Sequence, residues 1–220
     1  MAYTAIDDGT SFFHTQLYTG TGANQDVVND AHSGDFKPDF LIIKNTGNGS
    51  YGPHLYDSMR GVSDKRYAFH IDQNYGDDQE QTSTGTVVQT FDTDGFRAGS
   101  STNIYNILWI NGLNNNYIAH QWKINGGTTS SLSNTGPDSV VQINTTMGVN
   151  ILTYTGNGSN SNVKHGMGEI PDMLWVKRRN GGDSSWAVWH KDLATPASNF
   201  LKLDATDAEA SGVWDGVHPT

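Results

Sequence analysis

The sequence predicts an all-β protein made of two tandem antiparallel β-sandwich domains, the second of them incomplete. Three observations lead there. The composition favours strands and turns over helices, one set of short motifs occurs twice in the same order, and the apolar runs end in Asn-Gly and Gly-rich clusters.

The 220 residues leave room for two domains of roughly 100 residues, each with its own core. Charged residues are 16% and hydrophobic residues 35% of the chain, so its polarity comes from Gly, Asn, Ser and Thr. With 25 Gly, 9 Tyr, 8 Phe and 6 Trp beside runs of Val, Ile and Thr, the propensities favour pleated, half-buried surfaces. Helix should be scarce. A net charge of −10 argues against a phosphate-tracking groove, so no nucleic-acid partner is expected. The absence of Cys removes disulfides, thiol catalysis and zinc-thiolate sites, and is neutral about compartment. The longest apolar runs, such as Phe40 to Ile43, are too short to cross a bilayer, so no membrane insertion is expected. Residues 1–20 lack the basic start and apolar core of a signal peptide. An acidic, surface-type protein without that signal is expected to leave a cell by lysis, inside a virus particle.

The repeat organises the elements. Leu17-Tyr18-Thr19-Gly20 recurs as Thr153-Tyr154-Thr155-Gly156, an offset of 136 from Tyr18 to Tyr154. Lys37-Pro38-Asp39-Phe40-Leu41-Ile42-Ile43-Lys44 recurs as Ile170-Pro171-Asp172-Met173-Leu174-Trp175-Val176-Lys177, an offset of 133 from Phe40 to Met173. Leu55-Tyr56-Asp57 then falls opposite Val188-Trp189-His190, and Phe69-His70-Ile71-Asp72 near Leu201-Lys202-Leu203-Asp204. Each Pro-Asp block reads as the mouth of a strand, where proline needs no ladder donor, followed by a largely buried apolar run. Asn-Gly clusters after each run supply the positive φ of a tight hairpin turn, so Phe40 to Tyr56 and Met173 to Trp189 are each expected as strand, tight turn, strand. In the first copy Val87 to Phe91 leads into the turn Asp92-Thr93-Asp94-Gly95, and Tyr117-Ile118-Ala119-His120-Gln121-Trp122 alternates as a half-buried closing strand.

The expected division is therefore a first repeat over 1–124, a Gly/Ser/Thr/Asn-rich linker over 125–147 and a second repeat over 148–220. The second copy has no counterpart of the closing elements. A sandwich without its last strands exposes open edges. The expectation is that the natural chain continues past Thr220 or that a neighbouring subunit supplies the missing strands.

The run from Phe13-His14-Thr15-Gln16-Leu17-Tyr18 through Phe36-Lys37-Pro38-Asp39-Phe40, Leu55 to Gly61, Phe91 to Phe96 and Tyr117 to Lys123 resembles a repeated domain of unknown function in tail-fibre-like proteins of marine bacteriophages. Val163 to Gly168 and Pro171 to Arg178 carry the same resemblance in the second copy. It implies a concanavalin A-like (LamG-like) jelly-roll sandwich and a place in the virion. It brings no characterised catalytic or ligand residues.

Several clusters invite chemistry. Asp92-Thr93-Asp94-Gly95 looks like the start of a calcium loop, but no bidentate Glu follows at the required spacing, and a hairpin turn is the plainer reading. Asp72 and Asp77-Asp78-Gln79-Glu80 offer oxygens to a cation, although such runs are usually solvated loops. Ca2+ is the one cofactor considered; the expectation is none. Glycoside hydrolysis needs two carboxyl groups flanking the bond, and sandwich-fold hydrolases carry theirs as Glu-x-Asp-x-x-Glu. Here Glu169-Ile170-Pro171-Asp172 has an inserted proline and no second Glu, and its repeat partner Phe36-Lys37-Pro38-Asp39 lacks even the first. The recurring Asp therefore reads as a strand-opening residue, and no enzyme is expected. No Gly-x-Ser-x-Gly or His-Glu-x-x-His occurs, and His165 in Lys164-His165-Gly166-Met167-Gly168 reads as structural.

The aromatics remain. Trp186 and Trp189 lie three apart on an expected strand, so they point to opposite faces and at most one is fully buried. Exposed aromatic rings beside amides grip sugars, which makes Tyr51, Trp186 and Trp214 the sugar-contact candidates; packing against a neighbouring domain or subunit is the alternative.

The expected function is a bacteriophage virion structural protein, a tail-fibre or tail-associated host-attachment component, contacting other virion proteins and forming a homo-oligomer, a trimer if a fibre. It would be assembled in the bacterial cytoplasm. The alternatives are a non-enzymatic carbohydrate-binding adhesin for a host surface glycan and a capsid decoration protein.

Overall fold

The structure is a computed structural model that describes residues 6, 8–30, 36–62, 68–74, 88–100, 108–214 and 216. The acidic stretch Asp77 to Glu80 lies outside the described residues. In chain order the strands are β1 (Phe13–Thr19), β2 (Gln25–Val27), β3 (Phe40–Asn45), β4 (His54–Asp57), β5 (Phe69–His70), β6 (Val88–Asp92), β7 (Gly95–Ala98) and β8 (Asn116–Trp122). They continue with β9 (Ser130–Leu132), β10 (Ser139–Asn144), β11 (Val149–Tyr154), β12 (Met173–Val176), β13 (Ala187–His190), β14 (Asn199–Lys202) and β15 (Ala210–Ser211). The fold is nearly all β, and among the described residues no helix is long and apolar enough to cross a membrane. The chain forms two compact units, Met1–Ala68 with Gln81–Met167 and Phe69–Glu80 with Gly168–Thr220.

In the first unit β1, β8, β3 and β4 lie side by side in that order, antiparallel throughout. A second sheet runs β2-β7-β6 and a third β11-β10-β9. The first two share one core. Leu41, Ile43, Tyr56, Tyr117 and Ala119 meet Val27, Val88, Phe96 and Ala98 in a single buried cluster, so the two sheets form a β-sandwich-like layer pair. Each large side chain buried there contributes roughly 1.5–3 kcal/mol. The alternation expected of β8 is present, with Tyr117, Ala119 and Gln121 buried, but β8 is central, inserted between β1 and β3.

The second unit contains β5 and a sheet ordered β12-β13-β14-β15. Its first hairpin repeats that of the first unit. Phe40 pairs with Asp57 and Ile43 with His54, while Met173 pairs with His190 and Val176 with Ala187. Adding 133 to both members of each β3/β4 pair gives the β12/β13 pair, from Phe40/Asp57 to Met173/His190, so the repeat in sequence is a repeat in register.

Two local expectations change. The hairpins close through the loops 46–53 and 177–186 rather than tight turns. In the first copy the Asn45 side chain turns the chain: its Oδ1 accepts the N–H groups of Gly47 (2.9 Å) and Asn48 (3.1 Å), and neither Gly47 nor Gly49 has positive φ. In the second copy Gly181 and Gly182 do, at 82° and 99°. The segment 125–147, read as a linker, carries β9 and β10. Its Gly, Ser and Thr content masks a short β-branched run, Val140-Val141-Gln142-Ile143, in which Val141 and Gln142 are fully buried.

Candidate functional site

Of the three aromatic candidates, Tyr51 lies in the first unit, partly exposed in the loop after β3, where its carbonyl oxygen accepts the Lys44 ammonium. Trp214 is half-buried in the second unit. Trp186 is the correction. It is only 4% exposed, and Trp189 is 2% exposed, so both rings are buried. Trp186 lies just before β13, where the pleat's alternation does not apply. Its indole N–H donates to the His70 carbonyl at 3.0 Å, its backbone N–H to Asp204 Oδ1 at 3.0 Å, and its ring meets Phe69 edge-on at 5.3 Å. Lys177 Nζ lies 5.6 Å from the ring centroid, and burial lowers the Lys177 pKa from its ordinary value. These contacts make Trp186 a core residue, with no ring face for a sugar.

The recurring Asp opens its strand in both copies, but the two side chains differ. Asp39 is wholly buried. Its Oδ2 accepts the successive backbone N–H groups of Ile124, Asn125 and Gly126, each at 2.8 Å, and its Oδ1 accepts the Ser58 hydroxyl at 2.8 Å. Ser58 Oγ in turn accepts the Gln142 amide at 2.7 Å. A buried carboxylate holding four donors in this way caps the turn after β8. Asp172, its counterpart, is 74% exposed and forms a surface ion pair with Lys191 at 2.7 Å.

In Asp92-Thr93-Asp94-Gly95 the two residues Thr93 and Asp94 form the turn joining β6 to β7, with Asp92 opposite Gly95. Gly95 has φ of 97°, and a Cβ there would sit 2.1 Å from the Val27 carbonyl oxygen, so glycine is required twice over. Among the described residues no three His, Asp or Glu side chains gather as metal ligands.

A different feature offers ligand chemistry. Where β11 ends, Tyr154, 45% exposed, borders a shallow hollow of about 350 Å³ with Pro137 and the polar loop Asn157, Ser159 and Ser161. Asn157 shapes that loop, its Oδ1 accepting the Ser159 N–H at 3.1 Å and its amide donating to Ser161 Oγ at 2.8 Å. An apolar ring beside hydroxyls and amides is the chemistry that stacks on and hydrogen-bonds a sugar.

The sequence pattern of a domain of unknown function (DUF7483) matches residues 8–220. The chain belongs to that family. The DUF7483 match runs through both copies of the hairpin and through β9 to β11 between them. No curated protein and no solved structure matches the chain. Within this DUF7483 chain, Tyr154 escaped the sequence reading because its block served there only as a marker of the repeat. The available signal is an aromatic at a strand end followed by Thr-Gly-Asn-Gly-Ser-Asn-Ser-Asn.

Proposed function

We propose that the chain is a structural component of a bacteriophage virion, of the tail-fibre or tail-associated attachment kind, and that its sheets are the faces of jelly-roll sandwiches of the concanavalin A-like type. The observation that carries the reading is the duplicated hairpin. One chain builds the same pair of strands twice in one register, which is how extended, repeat-built surfaces grow. The resemblance to tail-fibre-like proteins and the low-charge, glycine- and asparagine-rich composition support the same reading. In it the chain acts without catalysis, as an oligomer among other virion proteins. The test is peptide mass fingerprinting of density-purified particles, combined with immunogold labelling by antibody raised against the chain. Stoichiometric presence with label on the tail is expected; absence from purified particles refutes the reading.

The Tyr154 hollow favours a second reading, in which the chain itself binds a host glycan. A glycan array probed with the wild-type chain and with Tyr154→Ala tests it. Binding that disappears in the variant supports it, and no binding by the wild type ends it.

A further inference from the structure

Five Asn-Gly pairs occur in the chain, beginning at Asn48, Asn111, Asn125, Asn157 and Asn180. Such a pair is chemically labile, because a glycine nitrogen, unhindered by a neighbouring side chain, can attack the carbon of the asparagine amide. The reaction asks three things of the fold. The attacking N–H must not be held by an acceptor, the side-chain amide nitrogen must be free to leave, and the side-chain oxygen is helped by a donor as negative charge develops on it. The five pairs share one dipeptide and differ in these conditions.

Two pairs are locked. Asn111 has no solvent exposure; its amide donates to the Ala23 carbonyl at 2.6 Å and to that of Gly99 at 3.1 Å. The Gly112 N–H, which would have to attack, donates to the Tyr117 hydroxyl at 2.8 Å. The pair at Asn125 is exposed, but the Gly126 N–H is one of the three held by Asp39, at 2.8 Å, and the Asn125 amide donates to the Thr128 carbonyl at 2.9 Å. Two more are restrained. The Asn157 amide is tied to Ser161 Oγ at 2.8 Å, and the loop at Asn180 is clamped by the Arg178 guanidinium, which donates to the Gly182 and Asp183 carbonyls at 2.8 and 3.0 Å.

Asn48-Gly49 meets every condition. Both residues are exposed, in the loop 46–53 between β3 and β4. Among the described residues neither the Asn48 side-chain amide nor the Gly49 N–H donates a hydrogen bond. Asn48 Oδ1 accepts the Ser50 N–H at 2.9 Å, a donor placed where charge builds on the attacked amide.

We infer that Asn48-Gly49 is a site of spontaneous covalent modification, converted while the chain stays folded. The Gly49 nitrogen bonds to Asn48 Cγ, the Cγ–Nδ2 bond breaks, and ammonia leaves with the proton given up by the Gly49 nitrogen. Water then opens the cyclic imide at either carbonyl, leaving aspartate or isoaspartate at position 48. The product adds a negative charge to the loop that carries Tyr51, and the isoaspartate form reroutes the main chain there through Cβ. The β3/β4 ladder lies outside the loop, so the hairpin keeps its register. The fold thereby shields the pairs that its core and its Asp39 cap use, and leaves open one on which no strand depends.

The test is incubation of the full chain at mildly alkaline pH, which favours loss of the proton from the attacking nitrogen. Digested peptides are then followed by mass spectrometry, with aspartate and isoaspartate separated. In the folded chain Asn48 should convert first while Asn111 and Asn125 stay intact. In guanidinium all five pairs should convert at rates within a few-fold of one another, because the locks are gone. Gly49→Ala, at a position with open space around it and no positive φ, leaves the fold intact and should slow conversion at Asn48 about tenfold, since a side chain at 49 hinders the attack. Conversion of Asn111 or Asn125 as fast as that of Asn48 in the folded chain overturns the inference. So does an Asn48 that converts only once guanidinium is added.

Discussion

Replacing Asp39 by alanine should cost far more than the same change at Asp172, although the two occupy one position of the repeat. Asp39→Ala removes four hydrogen bonds to a carboxylate with no solvent exposure. Asn125 and Gly126 are exposed, so water replaces the acceptor for their amides. Ile124 is 3% exposed and the Ser58 hydroxyl is tied to Gln142, so these two donors lose a partner that water does not replace. At about 1.5–3 kcal/mol for a hydrogen bond to a charged group, the loss from these two is about 3–6 kcal/mol. With a urea slope of about 2 kcal/mol/M, the midpoint falls by about 1.5–3 M. Asp172→Ala deletes one exposed ion pair and should leave the midpoint where it was. The assay is urea titration followed by amide exchange resolved to β3 and β8, which reports the first unit separately from the second. Equal shifts for the two variants, or an unmoved midpoint for Asp39→Ala, would refute the reasoning.

Gly95→Ala puts a methyl group into the Val27 carbonyl at a backbone angle that L residues avoid, and should cost about 2–4 kcal/mol, read as a lowered thermal midpoint. Trp186→Ala should lower stability by about 3–5 kcal/mol and leave any glycan binding at Tyr154 intact; a loss of sugar binding without a loss of stability would restore Trp186 as a contact residue. The hydrogen bond and charge of Lys191 hold the Asp172 carboxyl below its ordinary value. Its contribution is therefore full above the unfolded aspartate value of about 3.9 and fades as pH falls through the lower folded value. A Lys191→Met chain should lose that small acid-side slope, which salt should also flatten.

What the sequence reveals and what it hides divide along physical lines. The hairpins were legible because proline, a recurring Asp and an apolar run act locally, and the β8 strand because its alternation is a local period. The role of Asp39 was not, since its three amides come from residues 124–126, and no spacing rule connects them to a strand opening so far upstream. Trp186 departs from the alternation because it lies one residue before β13, and a ring held by Phe69 and the His70 carbonyl obeys those neighbours instead. β10 was hidden by averaging, its apolar residues diluted by the Ser, Thr, Gly and Asn around them.

The duplicated hairpin separates what a local sequence determines from what a neighbouring strand adds. β12 and β13 hold the same register as β3 and β4 although, among the described residues, β12 pairs with no strand but β13, so register is written within the hairpin itself. Burial is not. The same positions go from fully buried in β3, beside β8, to half-buried in β12, which among the described residues pairs with β13 alone, and the same carboxylate goes from four hydrogen bonds to one surface ion pair. The closing strand therefore contributes stability and a cap to a hairpin already formed, so its arrival can be a separate event from folding.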